Sequence, residues 1–293
     1  MVYLPILALI MGICGTTSLH LAKAMTRQGI DALKIRTDIE ERGKKGTIWT
    51  IGFILNNIVT VFGIIAGWFG PASLYSAPFG IGLVILLLYA YYILKEKITK
   101  RDLIGAALII MGTVGIGMVK LFYTMDQPTI IYPNFYLSIW IMVPLGITLV
   151  IIGYISKNLT LTIILFASTG GMLSVMGQNW QYAGNLLGGF YPHPFILAPV
   201  YIIGLIMGTI SFLISQVAFA RGADASKYVP IFNGAFFITP FIYEMFIFVI
   251  SGTELIAFFL SLPFIVIVLI GIYFLVGMLV RTIKNPEIET LSY

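Results

Sequence analysis

Nine apolar runs, each about as long as a bilayer is thick, dominate the sequence. They lie at roughly 3–24, 48–69, 72–94, 103–121, 133–154, 160–180, 196–218, 228–250 and 255–280. A helix needs about 20 mostly apolar residues to span the hydrocarbon, and none of these runs alternates with the period-2 pattern of a barrel strand. Charge is scarce: 17 Lys or Arg and 12 Asp or Glu in 293 residues, or 10%, against about 25% in a soluble domain. With 59% apolar residues the chain lacks the polar surface to cover a globule in water. A soluble enzyme, a nucleic-acid binder and a disordered chain are excluded. The expected fold class is all-α: a polytopic membrane protein of about nine transmembrane helices. The single cysteine, Cys14, sits inside an apolar run and reads as a small packing residue.

The basic residues give the runs an orientation. With nine spans and the N-terminus outside, 16 of the 17 Lys and Arg fall on the inner side, and Lys120 alone falls outside. Eight or ten spans would scatter them over both sides. This positive-inside bias predicts an N-out, C-in chain, so the net charge of +5 is a topology signal. No basic residue precedes the first run, which therefore reads as an uncleaved helix and not as a leader. Trp49 and Trp68 stand about 28 Å apart at 1.5 Å per residue and read as interfacial anchors. The 25–47 segment is expected to be an inner loop with a short interfacial helix. His20 and Lys23 are expected at the inner end of the first helix, with Lys23 snorkelling to the interface.

Two stretches resemble one another: GPASLYSAP from Gly70 to Pro78, and GADASKYVP from Gly222 to Pro230. Each carries Ala-Ser-x-Tyr, lies between two helices and opens a helix with Pro in its first turns. The likeness pairs helices 1–4 with helices 6–9. An offset of five spans inverts the second copy, as in carriers that exchange outward-open and inward-open shapes around a midplane site. The expected organisation is a first repeat over 1–121, a linking helix over 133–154, an inverted second repeat over 160–280 and an inner tail over 281–293.

These features resemble the drug/metabolite transporter superfamily, and within it the NIPA-like branch, described as magnesium transporters with nine helices and an outside N-terminus. The residues that carry the resemblance are Trp49 and Gly52, FGPASLYSAPFGIGL at 69–83 and ILKEKITKRDLIGAALIIMGTVGI at 93–116. They continue with STGGMLSVMGQ at 168–178 and SQVAFARGADASKYVPIFNGAFFITPFIYEMFIF at 215–248. The resemblance implies transport of a small solute by alternating access, with magnesium or another divalent cation as the cargo of that branch. The family's Gly-Glu pair and Asn of helix 2 fall here near Val59, Thr60 and Gly63, so the carboxylate at that place is missing. A magnesium site draws on hard oxygen ligands, usually carboxylates.

An ionisable group within a span is a functional candidate by default. Glu244 is the best such candidate, including for a metal, four residues after the helix-bending Pro240 and near Thr239. Asn56, Asn57 and Thr60 at mid-depth of helix 2 are candidates for a polar pathway, with helical spacing placing Asn57 at i−3 and Asn56 at i−4 on the face of Thr60. Ser174 and Gln178 in helix 6 are a second pair at i, i+4. Gln216, Asn233 and Tyr228 complete the set. Polar groups in spans also serve as interhelical hydrogen bonds worth about 0.6 kcal/mol each, and that reading stands beside the pathway one.

A membrane enzyme would need paired carboxylates, a metal-binding histidine cluster or a nucleophile–base pair. The chain has two histidines, His20 and His193, on opposite sides. No enzyme activity, catalytic residue or cofactor is therefore expected. Two alternatives remain open: a carrier of a small organic metabolite, and a non-transporting scaffold. The expected partners are the lipid bilayer and the small solute or cation, with a homodimer left open and no nucleic acid. The expected location is the cell membrane.

Overall fold

The computed structural model describes residues 4–33, 39–123, 130–188, 199–248 and 252–284. Every regular element among them is helical. The helices are α1 (Pro5–Gly29), α2 (Ile39–Ala66), α3 (Ala72–Ser76), α4 (Gly82–Tyr89), α5 (Lys100–Tyr123), α6 (Tyr132–Ile155), α7 (Leu159–Gly188), α8 (Pro199–Ala220), α9 (Ala225–Ile247) and α10 (Gly252–Lys284). A 3₁₀ turn over Ala77–Gly80 joins α3 to α4, and a π turn over Ala90–Leu94 extends α4.

Seven of these helices are long and apolar enough to cross a bilayer. The pair Ala72–Gly80 and Gly82–Leu94, bent by 40°, makes an eighth when taken as one span. The expected segment 196–218 falls on α8, whose apolar part, Leu205–Ala220, is shorter than the rest. Residues 34–38, His193 and the tail beyond 284 lie outside the described residues.

Local chemistry explains the boundaries. Pro5 opens α1 in its first turn, where a missing N–H goes unused by the helix. The left-handed Lys95 closes the π turn, and Gly222, with φ +96°, ends the turn after α8. The bend between α3 and α4 follows Pro78, which has no N–H to donate. At that bend α1 and α5 approach closely: a Cβ on Gly82 would collide with His20 and Thr16, and one on Gly80 with Thr113. The expected inner loop over 25–47 is largely helical instead. α1 runs to Gly29 and α2 begins at Ile39, and the charged residues within them, Arg27, Glu40, Glu41, Arg42, Lys44 and Lys45, carry good helix propensity.

Packing falls into pairs. α1 lies chiefly against α2, α7 against α8, and α5 against α10, while the α3–α4 unit packs on α1 and α5 as α9 packs on α7 and α10. α5 and α10 meet backbone to backbone: a Cβ on Gly105 would sit 2.8 Å from the Gly271 carbonyl, and one on Gly271 would sit 2.7 Å from the Gly105 carbonyl. Small residues permit such an approach where lipid offers helices no hydrophobic drive to associate. α6 turns large apolar side chains outward, including Trp140 at 77% exposed and Ile155 at 69%. A face of that size needs an apolar solvent.

Candidate functional site

The buried aromatic core of α9 faces a polar cavity between the pairs α1–α2 and α7–α8. Lys23 and Leu19 line it from α1, Asn56 and Thr60 from α2, Ser174 and Gln178 from α7, Gly208 and Ser211 from α8, and Phe232 from α9. The cavity is narrow. About 20 Å³ accepts the centre of a water molecule, room for one or two waters at about 10–15 Å³ each.

Lys23 is the charged group at this cavity. It is 1% exposed, so the expected snorkelling does not occur. α1 continues beyond it to Gly29 and holds it within the bundle. Its Nζ donates to Ser215 Oγ at 2.5 Å and lies 4.8 Å from the centre of the Phe232 ring and 5.7 Å from that of Phe212. Ser215 in turn donates to the Phe212 carbonyl at 2.7 Å. The rings supply weak attraction for a cation, and no carboxylate reaches Lys23 among the described residues.

His20, one turn before Lys23, is also fully buried. Its Nδ1 donates to the Thr16 carbonyl at 2.7 Å, and its Nε2 accepts from Asn233 Nδ2 at 2.5 Å. A ring carrying its proton on Nδ1 satisfies both bonds. Asn233 also donates to the Phe79 carbonyl at 3.3 Å, which ties α1, the 3₁₀ turn and α9 together. His20 therefore lies inside the bundle, bonded to α1 and α9, and not at a helix end.

Glu244 stands apart from the cavity. Its Oε1 accepts the Ser73 N–H at 2.8 Å, at the first turn of α3, and its Oε2 takes Lys120 Nζ at 3.2 Å. Both partners of the pair are nearly buried. Lys120, the one basic residue expected on the outer side, is thus held by the one carboxylate expected within a span. At the other end of the bundle Glu96 repeats the arrangement. Its oxygens accept the Ala225 and Ser226 N–H groups at 2.9 and 2.8 Å, at the first turn of α9. Helix N-termini leave unsatisfied N–H groups and favour a negative charge. Glu244 answers that need for α3 and Glu96 for α9, and Ser73 and Ser226 occupy matching places in the two Ala-Ser-x-Tyr stretches.

The remaining candidates divide. Asn56, Thr60, Ser174 and Gln178 come together at the cavity. Asn57 is exposed and returns its amide to the Phe53 carbonyl at 2.8 Å, so it turns away from Thr60. Gln216 accepts from Trp49 Nε1 at 2.9 Å, which draws Trp49 inward onto α8, stacked on Phe53. Tyr228 is buried and donates to the Phe166 carbonyl at 3.2 Å, matched by Tyr75 and the Val59 carbonyl at 3.1 Å. Thr239 is half-buried and does not line the cavity. Glu96 and Lys23 are absent from the expected set of site residues. Glu96 sits among loop charges, and Lys23 sits at an apparent helix end.

Fold and site together define a multi-helix chain of membrane type with a polar, charged centre. No protein-family model matches the sequence, and no solved structure matches it. The chain is similar to the "Probable magnesium transporter NIPA9" of Arabidopsis thaliana, with 23% identity over 108 residues. The match covers 36% of this chain and spans 31% of the relative's own length.

Proposed function

We propose that this chain is a multi-pass transporter of the cell membrane that moves a small solute by alternating access. In this reading it has nine spans, N-out and C-in, with α1–α5 and α7–α10 as inverted halves of the drug/metabolite transporter kind and α6 as their link. The observation that carries the reading is the pair of exchanged carboxylate caps, Glu244 on Ser73 and Glu96 on Ala225 and Ser226. One closes each end of the bundle around the narrow cavity. Two inverted halves joined by equivalent ties at both ends can open one end while the other stays shut. Both ties are made in this structure, and in this reading that corresponds to the occluded state.

Resemblance and cavity point to different cargoes. The printed name of the relative and the NIPA-like resemblance favour magnesium. The cavity favours an organic solute: it presents Lys23 and neutral oxygen and nitrogen groups, and a lysine repels a divalent cation. Among the described residues no three His, Cys, Asp or Glu gather into a cation site, and the Glu244 carboxylate is taken by Lys120 and Ser73. We favour the organic solute.

The test is uptake into proteoliposomes carrying a magnesium dye, run beside counterflow of radiolabelled organic solutes. Counterflow of an organic solute without magnesium entry is the expected result. Magnesium entry alone would return the assignment to the cation, and neither flux would remove the transporter reading.

A further inference from the structure

The buried cation at the cavity has a chemical consequence. A lysine sealed in a bundle normally meets a carboxylate, because an unpaired charge in a medium of low dielectric costs several kcal/mol. Lys23 meets a serine hydroxyl and two aromatic faces instead. Across the same cavity, Gln178 Oε1 is buried and has no hydrogen-bond partner. The site thus offers one cation and one unused acceptor, with Thr60 and Ser174 hydroxyls between the helices.

We infer that Lys23 is the docking charge for a small organic carboxylate, whose own hydroxyl or ammonium group donates to Gln178 Oε1. This inference rests on the transporter reading for its physiological meaning, but the binding itself does not depend on it. A single lysine balances a single negative charge, which suits a monocarboxylate better than a phosphate of nearly two charges. A carboxylate oxygen replaces the Ser215 contact at Nζ, and the second oxygen faces the hydroxyls. The low dielectric that makes the bare lysine costly makes its pairing favourable. The cavity as it stands holds one or two waters, so a ligand of this kind enters when one tie opens and expands the space between α1–α2 and α7–α8.

The experiment is a binding assay on the purified full-length chain in nanodiscs, read by thermal shift and by competition. The probes are acetate, lactate and glycine, the corresponding amides acetamide, lactamide and glycinamide, which lack the carboxylate, and magnesium chloride. Stabilisation by the carboxylates and not by the amides is expected. Lactate and glycine should act at lower concentration than acetate because they carry the donor for Gln178. Lys23→Met should weaken binding at least about tenfold, as loss of a desolvated charge partner does, while Lys23→Arg retains it in part. Equal action of acids and amides, or no shift with any acid, overturns the inference. That comparison uses the wild-type protein alone and holds even where Lys23→Met fails to fold. Carboxylate binding without uptake would uphold the site and overturn the transporter reading. Magnesium uptake without carboxylate binding would do the reverse.

Discussion

Glu96 Oε2 accepts the backbone N–H of Ser226 at 2.8 Å across 130 residues of chain, and the bond joins the end of the α3–α4 unit to the start of α9. Its counterpart, Glu244 on Ser73, joins the end of α9 to the start of α3. Each helix is capped by an acid from its antiparallel neighbour, so the two ends of the bundle are stabilised by the same chemistry.

Glu96→Gln should weaken its end specifically. The neutral amide keeps one acceptor but loses the charge that favours a helix N-terminus, at a cost of about 1 kcal/mol. A lowered thermal midpoint and faster thiol labelling of a Lys227→Cys probe are expected. An unchanged midpoint with unchanged labelling would show that the cap carries no load.

Lys120 and Glu244 should behave as a coupled pair. Lys120→Met leaves Glu244 with the Ser73 N–H alone, and removing one member of a buried pair costs about 3–5 kcal/mol. The double variant Lys120→Met/Glu244→Gln should recover part of that loss. Thermal unfolding of the two single variants and the double one gives the coupling; strict additivity would contradict the pairing.

The α5–α10 contact should be intolerant of a single methyl group. Gly105→Ala or Gly271→Ala places a Cβ within 2.8 Å of a carbonyl oxygen, and overpacking of this kind costs about 1–3 kcal/mol. Gly43→Ala, with no atom within 4 Å of the added Cβ, should be neutral or stabilising by up to about 1 kcal/mol. Thermal midpoints of the three variants separate the cases.

Neighbouring asparagines on α2 should differ in their effect. Asn56 lines the cavity and Asn57 bonds its own helix on the exposed side. Asn56→Leu should reduce solute flux at least about tenfold, in the range of losing buried polar contacts, and Asn57→Leu should leave flux near wild type. Equal loss in both would place the pathway elsewhere.

Much of the helix plan was legible in the sequence because hydropathy reads the bilayer directly. Span positions come within a few residues for α5, α6 and α9. The bend at Gly80 was hidden, since it depends on α1 and α5 crossing at two glycines, a tertiary event. The polar residues Asn56, Thr60, Ser174 and Gln178 were visible as a set, yet helical spacing could not separate Asn57 from Asn56 without knowing which face of α2 meets α1. Lys23 was hidden by the length of α1: with the helix ending at 24 it would reach the interface, and with five more residues it cannot. Glu244 was found for its burial, but its partners, a backbone N–H 171 residues away and Lys120, leave no mark in local pattern.

The central claim is that the Glu96 and Glu244 ties open in alternation. Pulsed electron spin resonance on two label pairs in nanodiscs tests it most directly: positions 97 and 227 across the Glu96 end, and positions 69 and 246 across the Glu244 end. Two distances are expected for each pair, with Glu96→Gln populating the longer 97–227 distance and Glu244→Gln the longer 69–246 distance, while the opposite end stays short. A single distance for both pairs, unmoved by either substitution, would contradict it.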